Sequence, residues 1–301
     1  MTDGDSNGRE PSAPTPKAKP KAIPEALLSP EAAGALLDRA AAACAADPQA
    51  HLDIARTALA FAVLASPEAG TGGALAHLDA IAARLAENAG SPPPDVLQAV
   101  MAVEFGYAGD AETYDDMINA DLAAVIERRR GLPVALGILY CHAAPAAGWD
   151  AAGLSFPAHF LIRVDGPGGR HVIDPFNRGE ALDAGGMRLL LRQMGAGDDL
   201  KAEHHQVVPD RHVLLRLQNN IKLRRLRIND IDGGLAVLQR MRRLAPDLAG
   251  LAMEEAAILA EGGAIVGAAK TVRGYLDSGF GGIEERSEME RFLASIETRL
   301  N

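Results

Sequence analysis

The sequence predicts a mainly helical α+β protein, on three observations. From Pro24 to about Tyr107 apolar residues recur at intervals of three and four, as in Leu52, Ala55, Leu59 and Val63. Prolines at 30, 48, 67 and 92–94 punctuate this Ala- and Leu-rich run, so short packed helices are expected. Further on, Phe160, Ile162 and Val164 alternate with His159, Leu161 and Arg163, the period of a strand. Asp165 to Gly169 form a turn cluster, and His171 to Asp174 read as the return strand. From about Val213 helical spacing resumes, which places a small sheet beside helices.

Composition narrows the function. The chain has 301 residues, 48% apolar and 23% charged, with a formal net charge of −10. That acidic balance argues against a general nucleic-acid binder, which needs a basic footprint. Two cysteines cannot build a disulfide scaffold. The uncharged stretch Gly131–Trp149 contains Pro133, His142 and Pro145, and falls short of the ~20 predominantly apolar residues of a membrane span. A cytoplasmic protein without membrane or nucleic-acid partners is therefore expected. Residues 1–24, rich in Pro, Ser, Gly, Asp and Lys, read as a disordered tail and carry no secretory signal.

Each later element has its own reason. Asn119 is the expected cap of a helix bearing Leu122, Val125 and Ile126, which Gly131 would end. Pro133 suits the first turn of the next helix, Val134 to about Ala147, which is apolar nearly all round and so buried. Leu154 to Phe156 read as an earlier strand. In the tail, Leu214, Leu217, Ile221 and Leu226 mark one helix face, and Leu235, Leu238 and Met241 the next. Further helices are expected over 248–261, 265–277 and 284–300. If Pro246 closes a helix pair of about 34 residues, Ala256 and Ala268 take the small-residue positions of a tetratricopeptide unit. The preceding pair has Gly234 at one such position but Lys222 at the other, so a plain helical bundle is the alternative.

The segment with chemical content is His159 followed by Asp174. If Val164 faces His171 across a hairpin, His159 and Asp174 share one sheet face as diagonal neighbours. A carboxylate orienting an imidazole is the second and third part of a nucleophile–base–orienter triad. A helix amino terminus would suit the nucleophile, yet Leu132, Pro133, Val134 and Ala135 offer none. Cys141 lies about two turns further, ~12 Å along the axis at 1.5 Å per residue, in apolar surroundings. Cys44 sits on a separate Ala-rich helix. Three readings of the pair stay open: a satisfied buried imidazole, a ligand pocket, or catalysis. No metal or cofactor is expected, because the hairpin turns His171 to the other face and His204 and His205 point apart, on a loop or helix surface. The basic stretch Arg211, Arg216, Lys222, Arg224, Arg225 and Arg227 reads as a solvated face, with docking of an acidic partner as the sharper alternative.

Four segments together carry a family resemblance. They are Asn119-x-x-Leu122-x-x-Val125-Ile126-x-Arg128-Arg129-x-Gly131-x-Pro133, Phe156-Pro157-Ala158-His159-Phe160-Leu161-x-Arg163, Ile173-Asp174-Pro175-Phe176-Asn177-Arg178-Gly179 and Arg216-Leu217-x-Asn219-Asn220-Ile221-Lys222. Over roughly residues 95–280 the chain resembles the SirB-type transglutaminase-like family. The resemblance implies a papain-like, transglutaminase-type core over 111–205, after a helical region at 25–110 and before tetratricopeptide-like helices at 206–301. It makes His159 the triad histidine and Asp174 the aspartate. Counting back from Gly148, which matches the glycine ending the helix, Pro133 falls where active transglutaminases carry the cysteine. Ala158 departs from the family's glycine, and its methyl would narrow a pocket. The resemblance implies a pseudoenzyme that acts as a protein-interaction or regulatory module through its helical repeats. The rival is a cysteine-independent hydrolase or acyl transferase using His159 and Asp174.

Overall fold

The computed structural model describes residues 28–67, 71–157 and 159–298; the tail expected at 1–24 lies outside them. The chain opens with α1 (Pro30–Ala46), α2 (Ile54–Ala65) and α3 (Gly72–Ala86), then α4 (Pro93–Leu97), which runs into a π-helical segment, Gln98–Glu104. Side chains start the first two helices: Ser29 accepts from the Ala32 N–H and Asp53 from the Arg56 N–H. Next come β1 (Ala108–Gly109), α5 (Leu122–Arg128), β2 (Arg130–Gly131) and α6 (Pro133–Ala143). A four-stranded antiparallel meander follows: β3 (Asp150–Gly153), β4 (Ile162–Gly166), β5 (Gly169–Asp174) and β6 (Glu180–Leu182). Then come α7 (Ala184–Gln193), α8 (Asp210–Arg227), α9 (Ile231–Leu244), α10 (Ala249–Glu261), α11 (Ile265–Asp277) and α12 (Ile283–Glu297). The architecture is thus α+β and mainly helical.

Helix α6 is the hub. Of its eleven residues only His142 escapes full burial, as expected of a helix apolar on every side. It shares one apolar core with α1–α3, the inner sheet residues Ile162, Val164 and Ile173, and helices α8 and α9. The outer sheet residue Leu161 packs instead with Phe156 and with Met187, Leu190 and Leu191 of α7. A separate cluster, built around Ala256, Ala268 and Val272, holds α10, α11 and α12 together.

Three local expectations need correction. Asp121, not Asn119, caps α5, because its carboxylate accepts the N–H groups of Ala123 and Ala124. Asn119 is fully buried and used elsewhere. Arg129, not Gly131, ends α5 in the left-handed region (φ 60°), and Gly131 pairs with Gly109 in a two-residue parallel ladder. The first strand of the meander lies at Asp150–Gly153 rather than 154–156. Past Gly153 the chain divides its bonds, Leu154 N–H to Leu161 O and Ser155 N–H to Gln206 O.

Apart from Arg227, which stays exposed, the basic stretch on α8 is not a solvated face. Arg211 is buried against Asp247 at 2.8 Å, and Lys222 against Glu254 at 2.5 Å. Arg224 is buried and donates to the carbonyls of Tyr114 and Asp115, 3.0 Å each. Arg225 pairs with Asp230. These cations lie on different sides of one helix, so each reaches a different neighbour, and the charge is spent inside the fold.

A second polar knot holds the 110–119 loop. Asp110 accepts from Thr113 N–H and Oγ1 and from Arg128 Nη2, each 2.8 Å, while Arg128 Nη1 donates to Asn119 Oδ1. The Thr113 N–H first, with its hydroxyl and Arg128, holds the Asp110 carboxyl down from 3.8 to about 2. A carboxyl depressed on folding adds stability above its unfolded value and loses it as the pH falls through its folded one. Equilibrium unfolding from pH 7 to pH 2 should therefore show the parent losing stability below about pH 4, with Asp110→Asn less stable at neutral pH and flatter over the acid limb.

Candidate functional site

The site forms where the chain entering β4 meets the turn leaving β5, against α6, whose Gly137 lies beside Phe160 and whose Tyr140 lies beside Gly179. Pro133 is the first residue of α6 and is buried. The residues before it are tightly held. Leu132 N–H donates to Asn119 O at 2.9 Å, and Asp110 N–H donates to Gly131 O at 3.2 Å. A Cβ on Gly131 would come within 2.7 Å of Val125 Cγ2, so only glycine fits there.

His159 lies in a bend before β4 rather than in the strand, its N–H donating to Pro157 O at 2.8 Å. The expected register is nonetheless present: Val164 pairs with His171 and Ile162 with Ile173. Both site residues are buried, His159 to 6% and Asp174 to 1% exposure. His159 Nε2 meets Asp174 Oδ1 at 2.9 Å. An ionised carboxylate only accepts, so in the neutral ring Nε2 carries the proton and Nδ1 keeps the lone pair. Asp174 also accepts from the backbone N–H of Phe176 (3.0 Å) and Asn177 (3.3 Å), and from Asn177 Nδ2 at 2.7 Å. Arg178 and Gly179 both adopt positive φ, and Gly179 N–H returns to Asp174 O, which closes the turn. A side chain at Gly179 would meet the Tyr140 hydroxyl at 2.9 Å.

One aromatic ring braces the imidazole, and a second anchors the chain beside it. Phe176 stands edge-on to it, centroids 6.0 Å apart, over Gly109, where a Cβ would lie 2.4 Å from the ring. Phe160 fills a slot between α6 and β3 made by Gly137 and Gly153, whose Cβ atoms would lie 2.4 and 2.8 Å from its carbons. Arg216 of α8 lies over the Phe160 ring, 5.3 Å from its centroid, and donates to the His159 carbonyl at 3.0 Å. The sequence offered Arg216 as one more charge in a basic run and as part of a matching segment, and Asn177 only as part of a matching segment. An Asp followed at one, three and five residues by Pro175, Asn177 and Gly179 was the available signal.

The remaining candidates lie elsewhere. Cys141 and Cys44 are free and buried, and burial pushes both thiols up, so neither is poised as a thiolate. Cys141 lines a different cleft, with His51, Asp150 and Asp210. His171 sits at the hairpin end, near Gly168 and Pro92. His204 is buried, not on the surface; its Nδ1 accepts from Lys201 N–H and its ring meets Phe156 at 5.8 Å, whereas His205 is exposed. Among the described residues no three His, Cys, Asp or Glu side chains gather as a metal site. Ala158 falls outside the described residues.

What the geometry can do is hold a lone pair on Nδ1 at a fixed angle, backed by a buried carboxylate. That is the base half of an acyl-transfer site. At the start of α6, where the helix dipole would favour a thiolate, stands a saturated ring with neither an acidic proton nor a lone pair to attack with.

Comparison with known proteins agrees with this layout. Residues 73–219 match the profile of the transglutaminase-like superfamily. A UPF0162 protein of Xylella fastidiosa (strain 9a5c) is 33% identical over 148 residues, 48% of this chain and 53% of that protein. A UPF0162 protein of Vibrio cholerae is 35% identical over 115 residues, 38% of this chain and 42% of that protein. Mouse F-box only protein 21 is 27% identical over 135 residues, 42% of this chain and 21% of that protein. The chain spans about half the length of the first of these relatives. No solved structure matches it.

The pairing has a direct spectroscopic consequence. In ¹⁵N-labelled protein, neutral His159 should carry its proton on Nε2. Asp174→Ala strips the acceptor from His159 and from two backbone N–H groups. It should lower stability by about 3 kcal/mol, since each buried donor left without an acceptor costs about 1–3 kcal/mol, as read by urea unfolding.

Proposed function

We propose that this chain is a non-catalytic, SirB-type transglutaminase-like protein that acts as a protein-interaction or regulatory module. One observation carries the reading: Pro133 opens α6, the position that the family resemblance gives to the nucleophile, and both cysteine thiols are buried. His159 and Asp174 are then a retained base and orienter with no thiol to serve. Their burial and the bonds that converge on Asp174 support a role in fixing the turn after β5.

The interaction role rests on the tail, divided at about residue 206. Helices α8 with α9, and α10 with α11, lie side by side as pairs, and Ala256 and Ala268 are fully buried where α10 and α11 meet. Small residues at such crossings let helix pairs stack, and stacked pairs present concave surfaces to protein partners. A degenerate tetratricopeptide-like array fits this arrangement. No described helix is long and apolar enough to cross a membrane, which is compatible with a cytoplasmic setting.

A second reading is favoured by the free lone pair at His159 Nδ1, which could activate water in place of a thiol. Purified protein would then turn over ester or amide substrates, and His159→Ala would abolish that activity.

The decisive experiment restores the missing atom. Under native conditions iodoacetamide should leave the parent unlabelled by intact mass. Pro133→Cys should be alkylated quickly, and at least about tenfold more slowly once His159→Ala removes the base, given the 10²–10⁴-fold reach of general-base assistance. Equal rates with and without His159 would mean that Pro133 does not face the imidazole. Affinity capture that returns no reproducible partner would count against the interaction role.

A further inference from the structure

Away from His159, Arg225 and Arg240 line a small enclosed cleft of about 70 Å³ between α2 and α5 on one side and α8 and α9 on the other. Arg240 is partly buried and has no hydrogen bond or carboxylate partner among the described residues, and its Nε is fully shielded. Its neighbours on α9 differ: Arg242 pairs with Glu255 and Arg243 with Asp38. Arg225 gives Nη1 to Asp230 but keeps a shielded, unbonded Nε. Burial first, and then the nearby Arg225, pulls the Arg240 guanidinium below its ordinary value. Asp121 also lines the cleft, but its Oδ1 is engaged in capping α5. Gln218 and Ser66 add neutral polar groups.

A partly buried guanidinium without a partner, beside a second cation whose bonded acceptor is Asp230, disfavours the folded state unless something negative joins them. We propose that this cleft is a binding site for a small oxyanion, of carboxylate or phosphate size, held between Arg225 and Arg240. The size follows from the volume, about that of two waters at ~30 Å³ each, which admits a head group and not a nucleotide. The chemistry follows from the donors, since guanidinium forks match planar and tetrahedral oxyanions. The anion would tie α2 and the start of α5 to the pair α8–α9, and stabilise the fold by mass action.

The test uses the full chain in potassium chloride of fixed ionic strength, exchanging chloride for inorganic phosphate or acetate. Thermal unfolding and calorimetry should show a saturable response to phosphate, acetate or both, and which of them acts identifies the head group. Arg240→Met should weaken that response at least about tenfold, as expected for loss of a charge-assisted pair, and in chloride alone should be no less stable than the parent. Asp121→Asn keeps a good capping residue and removes the opposing charge, so it should strengthen the response. Four results would each overturn the proposal: no response beyond that of chloride, an unchanged response in Arg240→Met, a weaker one in Asp121→Asn, or an Arg240→Met protein that unfolds earlier in chloride.

Discussion

A carboxylate sealed from water must be surrounded by donors, and at Asp174 that requirement organises the site. His159 Nε2, two backbone N–H groups and the Asn177 amide all converge on it. Each donor comes with a structural commitment. The backbone pair forces the turn after β5, the amide fixes Asn177, and the imidazole draws the chain before β4 down onto the sheet. Geometry that would serve catalysis in the presence of a thiol is thus also what the fold needs to bury this charge at all. A site of this kind can lose its nucleophile and keep its shape.

The sequence revealed much of this, for reasons that can be stated. Period-two alternation and the Gly-rich turn fixed the β4–β5 register, because a one-residue slip would have exposed Ile162 and Ile173. All-round apolarity marked α6, and a proline without an N–H marked its start. The strand limits were less legible. His159 alternates correctly with its neighbours, yet the pull of the 206–208 segment on Ser155 bends the chain before β4 begins, and that pull acts over fifty residues. The cap of α5 was misplaced because Asn119 and Asp121 are both good capping residues, and only the buried Arg128–Asn119–Thr113 knot shows which of them is already engaged.

Charge was the least legible quantity. Six basic residues within seventeen positions look like a surface, and spacing alone cannot say otherwise. In the fold, Arg211, Lys222 and Arg224 are fasteners that reach the α9–α10 connection, α10 and the 114–115 loop respectively. Arg216 reaches the carbonyl of the site histidine itself. Helix α8 therefore serves as a spine, joining the tail helices to the backbone of the site histidine through a single guanidinium.

The slot that receives Phe160 has a consequence for how such a chain can diverge. Gly137 and Gly153 leave no room for a methyl beside that ring, and a smaller ring would leave two backbones facing a void. None of the three can drift singly. Across descendants they should be inherited as a block, changing in concert or not at all.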